Sequence, residues 1–544
     1  MKIAIAQLNY HIGNFAENTK KIINAIQKAK QQKADLIVFA ELAICGYPPR
    51  DFLEFDDFIS RCDNAILEIA KETKEIAVII GSVHKNPKTE GKRLYNAAFF
   101  IHEGKTQAIA KKSLLPTYDV FDEYRYFEPA KEFSVIQYKN KKIALTICED
   151  LWDIEERERL YTTRPMDELM KDKPDFMVNI AASPFHSTQG KKRKEILQKN
   201  CKHYQLPLIY VNHVGAQTEI LFDGASLFMN QKGELLQELA LFKEDFSIID
   251  LEKREQIQQT NPEYPEIELI YNALLMGLQN YFHKLGFSKA ILGLSGGIDS
   301  AVTLAIAEKA LGKENLLAVL LPSPYSSQHS IDDAKQLAEN LGVEYQIIPI
   351  NKAFAEVQNS LHPVFKDAPF DLTEENIQAR LRGLILMALS NKYGYILLNT
   401  SNKSEAAVGY GTLYGDMCGG ISVIGDVYKT AVYALAKFIN REKEIIPINS
   451  ITKPPSAELR PEQKDSDSLP DYEILDTILH LYIEDRKSPA EIAKMGYDKN
   501  IVDKILRLVN TSEYKRVQSP PVLRVSEKAF GMGRRMPIVA KYLS

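Results

Sequence analysis

Short β-branched runs alternate with amphipathic segments along most of the chain, and this alternation restricts the possible folds more than any other feature. KIAIAQL, DLIVFA, IAVIIG, YNAAFFI, KIALTI, DFMVNI and LPLIYVN read as strands in the first half. Between several of them lie helical patterns, such as ENTKKIINAIQKAKQQ and KKRKEILQKNCKHY. From about 219 to 250 the pattern becomes hairpin-like, with NQKGE as a turn. KAILGL, LLAVLL, YQIIPI and GYILLNT resume the βα order later in the chain. The class is α/β, with helices layered on sheets.

At 544 residues, more than one domain is expected. EKREQIQQTNPEYP, at 252–265, is polar, carries two prolines and lacks a core stripe, so it reads as a linker. The division expected is a first domain over 1–255, a linker over 256–265 and a second domain over 266–544. The stretch 452–472 is rich in proline and charge and predicts a mobile loop. A net charge of −4 offers no footprint for nucleic acid or an anionic membrane. The five cysteines, at 45, 62, 148, 201 and 418, are scattered and form no CxxC pair. Neither a zinc site nor a disulfide framework is indicated, which points to a reducing compartment. Gln7 and Asn9 interrupt the first apolar run, and no apolar stretch reaches about 18 residues. The expectation is a cytoplasmic protein without a signal peptide or membrane span.

Three reactive residue types fall where strands end. Glu41 follows DLIVFA, Lys112 lies in IAKKSLLPTY, and Cys148 follows IALTI. Side chains just beyond the carboxyl ends of such strands face the usual ligand crevice. Glu149 and Asp150 directly after Cys148 oppose a thiolate, so a reactive cysteine there needs a cation and a base from elsewhere. Glu41 is positioned to take the thiol proton, and Lys112 to offset the acids and stabilise an oxyanion. The plainer reading is a buried structural cysteine with two solvated polar neighbours, and spacing alone leaves both open.

FAELAICGYPPRD, KKSLLPTYDVFDE, ALTICEDLW and NIAASPF resemble the nitrilase superfamily in its glutamine amidohydrolase branch, over about 1–250. The resemblance implies an α-β-β-α sandwich and a thioester formed from an amide with release of ammonia. By motif position it makes Glu41 the base, Lys112 the oxyanion stabiliser, Cys148 the nucleophile and Glu123 the carboxylate that orients the lysine. It places glutamine at Tyr118, Glu149 and Ser183, with Glu149 on the α-ammonium.

In the second half, AILGLSGGIDSAVTLAIA reads as strand, glycine turn and helix. Gly296 and Gly297 let the backbone approach a phosphate, whose charge suits the helix N-terminal amides, and Ser295 and Ser300 add hydroxyls. No GK[ST] follows at the Walker A spacing, and a bare Gly-Gly turn is often structural. SGGIDS resembles the ATP-pyrophosphatase loop of enzymes that cut ATP between its α and β phosphates, holding the β and γ phosphates as the leaving group. EENIQARLR, NTSNKSE and TLYGDMCGGISVIGDVYK, in that order, resemble the NAD synthetase family. Its simpler ammonia-dependent members carry a Gly–Thr pair where this chain has Asn399–Thr400, and a TGFFTKYGD-like segment where it has VGYGTLYGD. SAELRPEQKDSDSLPDYEILD and EYKRVQSPPVLRVSEKAFGMGRRMP resemble the glutamine-dependent form.

This second resemblance implies a Rossmann-like parallel sheet of the adenine-nucleotide α-hydrolase type. ATP falls at Ser295, Gly296, Gly297, Ile298, Asp299, Ser300, Thr400 and Lys429. Deamido-NAD+ falls at Asn376, Arg380, Glu405 and Asp416, and Mg2+ at Asp299 and Glu405. The function implied is synthesis of NAD+ from deamido-NAD+, ATP and glutamine, by a chain that pairs at least as a dimer through its second domain. Two alternatives stand beside it: an adenylating glutamine amidotransferase with another acceptor, and a non-catalytic nucleotide sensor.

Overall fold

The computed structural model describes residues 1–155, 160–253, 263–461, 463, 465–467 and 469–543. It divides into two compact units, Met1–Tyr264 and Pro265–Ser544. Most of the expected linker lies outside the described residues.

The first unit holds two six-stranded sheets. One runs Asp245–Asp250, Lys2–Gln7, Leu36–Val38, Ala77–Lys85, Leu94–His102, Lys105–Lys111; the other runs Leu235–Glu238, Leu227–Met229, Leu208–Asn212, Phe176–Ala181, Lys141–Ile147, Ile136–Tyr138. Side-chain alternation explains the layering. Ile3, Ile5, Val38 and Ile79 pack toward Leu145, Met177 and Leu208 of the other sheet. Their neighbours Ala4, Ala6, Ile37 and Val78 pack on the opposite face, with Ile22 and Ile26 of helix Phe15–Gln31 and Ile66 of helix Asp56–Ala70. Leu169 of helix Pro165–Met170 and Leu197 of helix Gln189–Tyr204 join the core of the second sheet. This is the α-β-β-α sandwich. The central strands pair in parallel, so their carboxyl ends lie at one edge of each sheet.

The second unit is built on a five-stranded parallel sheet ordered Glu344–Ile347, Leu316–Leu320, Ala290–Gly293, Ile396–Asn399, Ile421–Ser422. Strand order reverses between Ala290–Gly293 and Ile396–Asn399, and open α/β sheets bind ligands at such a switch point. SGGIDS leaves the first of these strands, and Thr400 follows the second. Gly296 has φ +82°, and a Cβ there would lie 2.1 Å from the Ser330 carbonyl oxygen, so the turn requires glycine. The C-terminal third forms a separate apolar cluster from helices Lys403–Val408, Tyr472–Ile483 and Lys499–Thr511.

The stretch 452–472, expected as a mobile loop, makes specific contacts at its described residues. Glu458 accepts bonds from the hydroxyls of Ser327 (2.6 Å) and Ser330 (2.8 Å). Gln378 donates to the Leu459 carbonyl at 2.9 Å. Charged side chains that suggest solvation in sequence find partners on two helices instead.

Candidate active sites

Cys148 begins immediately after strand Lys141–Ile147, with φ +43° and 4% exposure. A left-handed backbone at a non-glycine residue is costly, and such positions gather at functional turns. The Glu41 carboxylate, fully buried after strand Leu36–Val38, accepts from Lys112 Nζ (2.7 Å), Asn96 Nδ2 (2.6 Å) and the Ala182 amide (2.8 Å). Lys112 also donates to Glu123 at 2.8 Å, and Tyr47 donates to the same Glu123 oxygen at 2.8 Å. An ammonium taken out of water needs this pairing, since removing one partner of a buried pair typically costs about 3–5 kcal/mol. Burial draws the lysine down, but Glu123 and then Glu41 outweigh it and hold the ammonium well above the ordinary lysine range. Burial, then Glu41, pushes the Cys148 thiol well above its ordinary value. The resting cysteine is therefore a thiol, and its proton must leave as it attacks.

The two acids after the cysteine separate in role. Glu149 accepts from Tyr118 (2.9 Å) and Tyr161 (3.1 Å), and burial pushes it up to about 7. Asp150 accepts from the backbone amides of Ser113 (3.0 Å), Leu114 (2.9 Å) and Ile147 (3.0 Å). It ties the end of the Lys112 strand to the start of the Cys148 turn. Burial raises it to about 6 even so. Ser183, beyond strand Phe176–Ala181, is buried and gives its amide to Asn212 at 2.9 Å. Asn96, Asp150, Tyr47 and Tyr161 belong to this cluster although motif reading passes over them. One signal was available for Asn96, a lone amide inside the apolar run YNAAFFI.

In the second unit, a cavity of about 850 Å3 opens over the switch point. Ser295, Gly297, Ile298, Asp299, Ser300 and Thr400 line it, with Glu405, Asp416 and Lys429. The Gly296 carbonyl accepts from the Ser450 hydroxyl at 3.0 Å. Lys429, almost fully buried, bridges Asp299 (2.5 Å) and Glu405 (3.2 Å). Burial lowers the lysine, but Asp299 and Glu405 outweigh it and leave the ammonium above its usual range. Burial pushes Glu405 up to about 8 against the pull of Lys429. Asn402 donates to Asp299 at 2.8 Å and caps the helix that carries Glu405.

The residues expected at the dinucleotide divide between two places. Thr412 links Asn376 and Asp416, donating its hydroxyl to the first (2.7 Å) and its amide to the second (2.6 Å). Arg380 donates to the Leu413 carbonyl at 3.2 Å and lines a second, mostly apolar cavity of about 860 Å3. Glu405 and Asp416 line the first cavity. Gly383 and Cys418 line both, so these residues stand between the two cavities.

A carbon-nitrogen hydrolase family model matches residues 2–261, and an NAD synthase family model matches 270–519. A glutamine-dependent NAD(+) synthetase of Synechocystis is 47% identical over 99% of both chains. One of Acinetobacter baylyi is 44% identical over 99% of this chain and 98% of its own. The solved glutamine-dependent NAD+ synthetase of Acinetobacter baumannii superposes with a TM-score of 0.79 at 40% identity, over 99% of this chain and 98% of that one. The chain thus belongs to the glutamine-dependent NAD(+) synthetase family.

Proposed function

We infer that the chain makes NAD+ from deamido-NAD+, using ATP to activate the nicotinate carboxylate and glutamine to supply ammonia. The observation that carries this reading is the presence, in one chain, of a buried carboxylate–lysine cluster beside a strained cysteine turn and of a switch-point cavity over SGGIDS.

Glutamine enters with its α-ammonium on Glu149. Cys148 Sγ attacks the amide carbon while Glu41 takes the thiol proton, and the Lys112 ammonium stabilises the oxyanion. Glu123 and Tyr47 hold that lysine in place. Glu41 returns the proton to the leaving nitrogen, ammonia departs, and water activated by Glu41 cleaves the thioester. Asp150 keeps the lysine and cysteine in register by binding the backbone beside each.

In the other unit the turn at Ser295–Gly297 and the start of the following helix, with Asp299 and Ser300, suit the β and γ phosphates, and Thr400 and Lys429 face the same cavity. Magnesium binds through one or two carboxylates completed by substrate phosphates. The pair Asp299 and Glu405 fits that pattern, and the described residues hold no three-donor cluster that would bind a metal without phosphate. When bound there, the ion would offset phosphate charge. Asn376, Arg380, Glu405 and Asp416 remain the residues proposed for deamido-NAD+. Helices Asn351–Phe365 and Leu372–Tyr393 leave Val364, Phe365, Leu372, Leu384 and Met387 exposed, and a second copy of the chain is proposed to cover them. The described residues contain no helix long and apolar enough to cross a membrane; a cytoplasmic location is proposed on the five free cysteines.

Glutamine, ATP and deamido-NAD+ together should give NAD+, and a chain that forms none from this mixture lacks the function. The pH profile tests the glutamine half. Glu149 must be ionised to hold an ammonium, and its folded value lies near 7. Below that it is neutral; above it is charged. The kcat/KM for glutamine should therefore rise as pH increases through about 7 and then level off. A flat profile from about pH 6 to about pH 8 would remove Glu149 from glutamine binding.

A further inference from the structure

The charges in the nucleotide cavity are nearly all committed. Four lysine or arginine side chains line it among the described residues: Arg382, Lys429, Lys453 and Arg460. Lys429 is paired with Asp299 and Glu405, Lys453 with Asp333, and Arg460 with Glu375 and Asp467. Arg382 alone has no carboxylate within ion-pair distance among those residues. Its Nε donates to the Leu321 carbonyl at 3.0 Å, just past strand Leu316–Leu320. That bond anchors the guanidinium and leaves its terminal nitrogens without a protein partner among the described residues. Five N–H groups in a planar fork, with one used, suit two-point binding of a phosphate.

Position on the helix sharpens the assignment. Ala379, Arg382, Gly383 and Leu386 of helix Leu372–Tyr393 face the nucleotide cavity. Ile377, Arg380, Leu381 and Leu384 face the other. The helix is thus a wall with one arginine on each side. Arg382 directly precedes Gly383, which lines both cavities, and a Cβ on Gly383 would lie 2.9 Å from the Gly415 carbonyl oxygen, so the wall is closely packed there. With the β and γ phosphates proposed for the glycine turn, the α-phosphate is the group left for this free guanidinium to hold.

We propose that Arg382 binds the α-phosphate of ATP and keeps hold of it in the acyl-adenylate. The assignment rests on the function proposed above. A carboxylate oxygen of deamido-NAD+ bonds to the α-phosphorus, the bond from that phosphorus to the bridging oxygen breaks, and pyrophosphate leaves with the electron pair. Arg382 exchanges no proton in this step. Burial draws its guanidinium down to about 10 against the attraction of Asp416 and Glu458, so it stays charged at neutral pH.

The test is return of labelled pyrophosphate into ATP, with deamido-NAD+ present and no nitrogen source, which isolates adenylation. Arg382→Gln should slow exchange about 30-fold, the scale of a hydrogen bond between charged groups, with KM for deamido-NAD+ nearly unchanged. Arg382→Lys keeps the charge without the fork and should fall between the Gln variant and the wild type; it decides the matter if the Gln variant does not fold. Wild-type exchange rates in the Lys variant, or a loss confined to KM for deamido-NAD+, overturn the assignment. No exchange in the wild-type enzyme overturns the assignment together with the function beneath it.

Discussion

Cys148→Ala should abolish NAD+ synthesis from glutamine, by about 10⁴-fold or more, and leave synthesis from an ammonium salt within about twofold. The loss is large because no other thiol can substitute. Cys62 and Cys201 are fully buried within helices, and Cys45, four residues after Glu41, is fully buried with its thiol turned to the Leu42 and Gly46 carbonyls. Glu41 and Lys112 hold one another and accept or donate protons, but neither is placed to form a thioester. Ammonia from solution bypasses this chemistry, so the second unit should work as before. Alanine at 148 removes only a small uncharged group, so folding should not suffer. Normal synthesis from glutamine in the variant would remove Cys148 from the mechanism, and equal loss with ammonium would show that the substitution disturbs more than one half.

Asp299→Ala should act on the other side of the chemistry and lower synthesis with either nitrogen source by about 10²–10³-fold, the range for a preorganised group at a charged transition state. Asp299 does two things in the fold. One oxygen pairs with Lys429 and the other accepts from Asn402. Without it, Lys429 turns to Glu405 alone, and the cap of the helix carrying Glu405 loses its link to SGGIDS. Asp299→Asn keeps the shape and removes the charge, so it should be nearly as impaired if charge toward Lys429 and magnesium is what matters. Initial rates of NAD+ formation with glutamine and with ammonium measure both variants. Impairment with glutamine only would place Asp299 outside adenylation.

Apolar runs and helical spacing made the α/β layering legible because they report directly on which faces are buried, while the sandwich and the parallel sheet came from the resemblance to the two families. Glu41, Lys112 and Cys148 were visible as polar residues at strand ends, and the structure adds what surrounds them. Asp150 is the clearest case of what spacing hides. Beside a cysteine it looks like an electrostatic burden, yet its carboxylate is spent on three backbone amides from two separate strand ends. That role depends on a loop 36 residues away and leaves no local mark. Arg382 is hidden for the opposite reason. It sits two residues after Arg380 in QARLR, and only the rotation of the helix sends one to each cavity. Lys403, within NKSE, was equally silent. It is fully buried, pairing with Asp426 and Glu484, and fastens its helix to the C-terminal layer. Proline and charge at 452–472 give no sign in sequence that Glu458 has Ser327 and Ser330 as partners, because the fold brings those hydroxyls from a distant helix.

The central claim is that ATP activates a carboxylate whose oxygen ammonia then displaces, and an isotope label follows that oxygen directly. Deamido-NAD+ carrying oxygen-18 at both positions of its nicotinate carboxylate is turned over with ATP and glutamine, and AMP and NAD+ are weighed by mass spectrometry. One carboxylate oxygen becomes the bridge to phosphorus and leaves with AMP, while the other stays in the amide. One label in AMP and one in NAD+ is the predicted result; unlabelled AMP, or ADP as the nucleotide product, would contradict it.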